Sequence, residues 1–349
     1  MKLTRLTVDN FTMFPKATFD FAPGVNVLVG ENGTGKSHVL KLAYIVNRAS
    51  REHGRRQGSL RVEPKEDMAA WLGTELREVF QPDSLQSFSR TTSGCSISAE
   101  WGAAASLEIH IDAAGGIGAK LVGNHSDAGT ALFVPAREVL SIYPGFVAAW
   151  LNRESSFDRT YFDVCSALGL RPLRDGAISE PLKQLAVRLE AAIQGTVAVR
   201  NDRFYIEYGG GPMEVSMVGE GDRKMAMLAH LLRNGTLAEG GLLVWDEPEA
   251  SLNPKRALLM SDAGFLLARA GVQVLLSTHD YALCSEIALK AGDNASGDVA
   301  FFGMNASRGS AEVERSVSFL GLKENPILDA FSGIHDREEL AMLEQERAS

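Results

Sequence analysis

Residues Gly30-Glu31-Asn32-Gly33-Thr34-Gly35-Lys36-Ser37 fit the spacing G-x-x-x-x-G-K-[ST], and no other stretch constrains the fold as tightly. The apolar run Val25 to Val29 precedes the loop. Val39, Leu40, Ala43 and Tyr44 follow it at helical spacing. A strand, a glycine loop and a helix in that order form one α/β unit. The glycines let the backbone curl so that its N–H groups face an anion, and the helix N-terminus adds positive potential. Lys36 is placed to reach the β- and γ-phosphates of a nucleotide, and the Ser37 hydroxyl to ligate Mg2+. Residues 31–37 are therefore the expected ATP contacts. The alternative, a glycine turn without a ligand, does not account for the strand and helix on either side.

Leu242-Leu243-Val244-Trp245-Asp246-Glu247 is an apolar strand that ends in two carboxylates. Beside the loop, Asp246 would hold the magnesium shell and Glu247 would polarise an attacking water. Taken alone, the pair also reads as solvated acids at a strand end. Pro248 marks a fixed turn there. Ser277-Thr278-His279-Asp280 follows another apolar strand, so His279 belongs at the same carboxyl edge, where open α/β sheets bind ligands. A histidine at a strand end is often structural. Gly219-Glu220-Gly221 opens a helix and could present N–H groups to an anion.

Of 349 residues, 45% are hydrophobic and 23% charged, the balance of a globular chain. Thirty-five basic against 44 acidic side chains leave a net charge of -9, which argues against a surface coated in positive charge but allows a local basic groove. Cys95, Cys165 and Cys284 lie far apart without metal-ligand spacing, which fits a reducing compartment. No apolar run reads as a signal peptide or a membrane span. A cytoplasmic protein is expected.

Strands are expected at 2–9, 17–21, 95–100, 106–112, 131–134, 196–200, 203–208, 242–245 and 272–276, with helices at 68–80, 221–233 and 254–269. Another helix begins near His279. The segment 136–194 is mostly helical, and its aromatic residues (Phe146, Trp150, Phe157, Tyr161, Phe162) read as core. The glycine-rich stretch 114–123 joins two strands. The segment 48–66 reads as an exposed loop or a frayed helix end. Its basic residues, Arg48, Arg51, Arg55, Arg56, Arg61 and Lys65, read either as a solvated face or as a phosphate-backbone contact. The expected fold is α/β, a mostly parallel sheet flanked by helices, with an antiparallel β lobe and an inserted helical subdomain. The core is assigned to 1–50 and 205–305, the insertion to 51–204, and a C-terminal strand and helical extension (helices near 325–333 and 335–347) to 306–349.

In this order the motifs resemble the ABC-type ATPase heads of the RecF, SMC and OLD-like group, a P-loop NTPase class often grouped with AAA family ATPases. LTVDNFTMFPKATFDF before GVNVLVGENGTGKS resembles that group too, as does DEPEASLNP, where Ser251-Leu252-Asn253 stands in the place of the D-loop. The resemblance implies that two subunits sandwich ATP. Gly219, Glu220 and Gly221 would then meet nucleotide in trans, while Glu247 activates water with Lys36 on the phosphates and His279 senses the γ-phosphate. ATP would act as a dimerisation switch.

Three features depart from that group. Gly219 stands where the signature serine is expected, Thr12 replaces a common basic residue, and the glutamine-loop position is shared among Gln81, Gln86 and the 134–138 segment. Slow or partner-dependent turnover is expected from the missing hydroxyl. No heptads for a long coiled coil and no acidic cluster resembling a TOPRIM nuclease are present, so nucleic-acid cleavage would fall to a separately encoded effector. The resemblance points to a homodimer or higher homo-oligomer that regulates a nucleic-acid-directed partner in DNA repair or phage defence, with DNA or RNA contact through the basic patch. The alternatives are an ATP-binding scaffold or sensor with little turnover, and a transporter ATPase subunit.

Overall fold

A computed structural model describes residues 1–58, 68–174, 177–292, 297–307 and 309–348. The central sheet contains β3 (Val25–Val29), β7 (Ala131–Val134), β11 (Leu242–Asp246), β12 (Gln273–Thr278), β13 (Val299–Ser307) and β14 (Ser310–Ser316), in the order β14-β13-β3-β12-β11-β7. All neighbours are parallel except β14, which returns along the edge of β13. Strands β3, β7 and β12 are buried along their whole length, as expected where both faces of a parallel sheet are covered.

The period-two alternation of the strands divides the interior in two. Val25, Val27, Leu243, Trp245, Val274 and Leu276 face one apolar cluster, with helices α5 (Glu180–Ala192), α6 (Glu220–Arg233), α7 (Pro254–Arg269) and α8 (Tyr281–Ala291) packed against it. Leu28, Val244, Leu275 and Phe302 face the other, which holds Val39, Leu40, Ala43 and Tyr44 of α1 (Lys36–Gly58). Beyond α1 lies an antiparallel sheet of β1 (Arg5–Phe11), β2 (Phe14–Asp20), β4 (Cys95–Glu100), β5 (Ala105–Ile111) and β6 (Ile117–Gly123), in the order β2-β1-β4-β5-β6. Thus α1 is sandwiched between two sheets. A third small sheet, β8 (Thr196–Arg200), β9 (Arg203–Tyr208) and β10 (Gly211–Glu214), leads into α6.

Several expectations are corrected. Of the two readings of the segment after residue 48, the loop is overturned and the helix end holds as far as Gly58, where α1 stops, with Arg55 and Arg56 paired to Glu52 at helical spacing. Arg48 is not solvated either. It forms ion pairs with Glu75 of α2 (Met68–Phe80) and Asp163 of α4 (Arg159–Leu168), at 3.0 and 2.6 Å. Arg61 and Lys65 lie outside the described residues. The glycine-rich stretch holds β6, whose alternating half-exposed pattern is that of an edge strand. Strand β7 belongs to the central sheet, so the 51–204 boundaries cut through α1 and leave a core strand outside. Among its described residues the 136–194 segment holds only α3 (Phe146–Leu151), α4 and α5 as α-helices, and one helix, α9 (Pro326–Ala348), replaces the two expected at the end.

Candidate nucleotide site

The strand register sets the site. Asp246 is paired with Ser277, and Thr278 with Val29, so the ends of β11, β12 and β3 emerge together at one sheet edge. Loop 30–35 leaves β3 at that edge and turns into α1. Gly35 has φ +92°, and a Cβ there would meet Met13 Sδ at 2.5 Å and Phe14 Cζ at 2.7 Å. At Gly30 a Cβ would stand 2.3 Å from the Met304 carbonyl oxygen. Both positions therefore require glycine.

Lys36 is buried and spans the loop, donating to the carbonyls of Gly30 (2.7 Å) and Glu31 (2.8 Å). Burial pulls its ammonium below the usual lysine range, opposed by the carboxylates of Glu247, Asp246, Glu249 and Glu31. Those four acids therefore share one field with the lysine. Thr34 Oγ1 closes the loop on the Glu31 carbonyl at 2.9 Å.

Ser37 Oγ donates to Asp246 Oδ2 at 3.1 Å, and the Ser277 hydroxyl donates to Asp246 Oδ1. Hydroxyl and carboxylate oxygens are hard donors suited to Mg2+. Among the described residues no cluster of three or more His, Cys, Asp or Glu converges as a ligand set. A cation at Ser37 and Asp246 would therefore complete its shell with phosphate oxygens and water, as magnesium does.

Glu247 leaves the sheet at φ +45°, a left-handed conformation uncommon for a residue with a side chain. Its N–H donates to the Ser277 carbonyl at 3.1 Å, and its Oε1 lies 3.0 Å from His279 Nδ1. Carboxylate and imidazole are thus paired at the mouth of the site, the imidazole half exposed. Just behind them, Thr278 Oγ1 donates to Glu249 Oε1 at 2.5 Å, and burial pushes the Glu249 carboxyl up.

Gly219 caps α6, with Glu220 and Gly221 in its first turn. No hydrogen bond or ion pair joins these three to the phosphate loop among the described residues. Their neighbours are in the D-loop segment: a Cβ on Gly221 would meet Leu252 Cδ2 at 3.0 Å and Ser251 O at 3.1 Å. Arg223 anchors the helix start to Glu138 (2.7 Å) and to the Val218 carbonyl (2.5 Å).

Of the three glutamine-loop candidates, Gln81 follows α2 and donates to the Ser156 carbonyl, and Gln86 sits in a short 3-10 turn, Leu85–Phe88. The 134–138 segment is placed differently, because Val134 pairs with Trp245 and the chain leaves β7 beside Asp246. Sequence reasoning missed three residues here. Ser277 orients Asp246, Lys224 holds the Glu247 carbonyl, and Glu249 lies buried beneath the acid pair. Tyr161 packs against the main apolar cluster, as its core reading expects. A lysine heading the apolar run Met225–Leu232 was the one legible signal among them.

The comparisons agree with this architecture. A family model described as "AAA domain, putative AbiEii toxin, Type IV TA system" matches residues 152–285. The DNA replication and repair protein RecF of Enterobacter sp. (strain 638) is 42% identical over 62 residues, 18% of this chain and 16% of that protein. RecF of Bifidobacterium longum subsp. infantis is 34% identical over 50 residues, 14% of this chain and 12% of that protein. The matched stretch thus spans a small part of those relatives. An SMC head solved with the C-winged helix domain of ScpA superposes with TM-score 0.57 and 11% identity, over 90% of this chain and 97% of that one. An SMC head with an extended coiled coil, bound to the C-terminal domain of ScpA derived from Pyrococcus furiosus, gives TM-score 0.50 and 11% identity over 97% and 99%. The fold is that of SMC heads, local sequence similarity leads to RecF, and the family model covers a segment that includes β11 and β12 and ends in α8. The chain has the fold of SMC heads and resembles, over the stretches matched, the ABC-type ATPase heads of the RecF- and SMC-like group.

Proposed function

We propose that the chain binds Mg–ATP on residues 31–37 and hydrolyses it at the edge of the central sheet. The observation that carries this reading is the convergence of Ser37 on Asp246, 3.1 Å apart, with the Glu247–His279 pair beside them. When bound, magnesium would neutralise phosphate charge between Ser37 and Asp246. Lys36 exchanges its loop carbonyls for β- and γ-phosphate oxygens. Glu247 accepts a proton from the attacking water, and His279 donates toward the γ-phosphate while orienting the carboxylate.

The exposed N-terminus of α6 is supplied to the nucleotide of a second copy, so Gly219, Glu220 and Gly221 act in trans and ATP drives self-association. The lack of any hydrogen bond or ion pair between these residues and the cis phosphate loop, among the described residues, supports that arrangement. A partner protein is part of the proposal, supported by the SMC heads solved bound to ScpA domains. The RecF likeness supports a nucleic-acid-directed pathway, DNA repair or phage defence, with a separately encoded effector. Direct contact with DNA or RNA has less support. Arg48 is committed to carboxylates, and Arg55 and Arg56 share Glu52.

A second reading is an ATP-bound scaffold with little turnover. Gly219, which offers no hydroxyl to a trans phosphate, favours it. E247Q separates the two. For a turning-over head, the variant loses roughly 100-fold or more in kcat and accumulates as an ATP-bound oligomer on size-exclusion chromatography. For a scaffold, E247Q and the parent assemble alike.

A further inference from the structure

Lys224 is fully buried at the head of an apolar helical run. Its Nζ donates to the Glu247 carbonyl at 2.9 Å and to the Ala250 carbonyl at 3.1 Å. Those two carbonyls bound a single turn, closed by the Ala250 N–H on the Glu247 carbonyl at 3.1 Å. The turn starts at Glu247 with φ +45° and delivers the chain to Ser251 at φ +64°, two left-handed residues that are not glycine. Such backbone persists only where its surroundings hold it in place.

Burial of this charge is unfavourable. It pulls the ammonium down to about 8, with Glu249, Glu220, Glu247 and Asp246 opposing. A methionine has nearly the same length and would fill the space without that penalty, and such replacements of buried charges are often neutral or stabilising. Packing therefore does not explain a lysine here. Its two acceptors do, and so does its helix, because α6 begins at Gly219–Gly221, the segment assigned above to the second nucleotide.

We propose that Lys224 is a positioning residue that clamps the Glu247–Ala250 turn to α6, so that the seating of α6 sets the aim of the Glu247 carboxylate. This rests on the ATPase reading of the site. Glu247 touches the reacting water, whereas Lys224 acts only through the backbone of Glu247. Any displacement of α6 by a second copy is thereby passed to the base through two hydrogen bonds.

The test measures kcat, KM, nucleotide affinity and melting temperature for K224M and K224Q, with K224M repeated in the E247Q background. K224M is expected to lose roughly 10- to 100-fold in kcat, the effect of a misplaced catalytic group. Its nucleotide affinity should stay within about 2-fold of the parent, since the loss falls on the transition state. Its melting temperature should be no lower than the parent's. K224Q, which keeps two N–H donors, recovers part of the rate. In E247Q, adding K224M changes nothing, because the group being aimed is already gone. Parent-like turnover by K224M, a large fall in its melting temperature, or a further rate loss in the E247Q background would overturn the proposal. A folded parent that binds no ATP would instead overturn the reading of the site.

Discussion

Ser37 and Asp246 are separated by 209 positions in the chain, and their side chains meet at 3.1 Å. Parallel pairing across β3, β12 and β11 produces this meeting. The glycine loop leaves the first strand at the same edge where the third ends in a carboxylate. The chemistry therefore depends on strand order more than on any one helix.

His279 is half exposed and hydrogen-bonded to Glu247, so its replacement should affect turnover and leave folding intact. H279A is expected to lower kcat roughly 100-fold, the typical worth of a positioned proton donor, with stability within about 0.5 kcal/mol of the parent. Steady-state kinetics beside a urea melt check both. Unchanged kcat would remove His279 from the mechanism.

The first helix depends on a buried ionic cluster. Arg48 meets Glu75 at 3.0 Å and Asp163 at 2.6 Å, and Arg159 reaches Glu75 at 3.5 Å, joining α1, α2 and α4. R48A would leave two carboxylates under cover with one partner fewer. A loss of about 3 kcal/mol is expected in chemical denaturation, because breaking a buried pair strands its partner. A loss under about 0.5 kcal/mol, the range of ordinary surface changes, would contradict this account.

These two cases show what the sequence made legible. The glycine loop, the Asp246–Glu247 strand end and the His279 strand end are local patterns whose meaning survives without coordinates, because apolar strands that end in polar residues point to one sheet edge. Arg48 falls in a run that reads as a solvated face or a phosphate contact, because a charge run carries no sign of the carboxylates that other helices bring to it. Strand β6 was hidden in glycines, since an edge strand with half-exposed alternation has little apolar signal. Strand β7 is four residues long, and its partner β11 is more than a hundred positions away, so its place in the core sheet could not be read locally. The Glu247 backbone and the burial of Glu249 are products of tertiary packing alone, whereas Lys224 leaves one local mark, a charge heading an apolar helical run.

Acid should destabilise the chain from the histidine side. Burial holds His38, His53, His125 and His230 below the usual imidazole range, and at His230, packed against Phe204, it does so against the opposing pull of the Leu168 carbonyl 3.0 Å from Nε2. The unfolded chain then takes up protons first as pH falls below about 6.5, so stability is full above that value and declines below it. Melting temperatures from pH 7.5 to 5 should fall, and H230Q should flatten the slope. A melting temperature that rises toward pH 5 would contradict the assignment.

The central claim is that one nucleotide-bound magnesium joins the glycine loop to Asp246. The most direct measurement is titration of the parent and D246N with a fluorescent ATP analogue, with and without Mg2+. The account predicts that magnesium tightens binding by the parent and has little effect on D246N. Folded parent protein that binds no analogue, or D246N that responds to magnesium as the parent does, would contradict it.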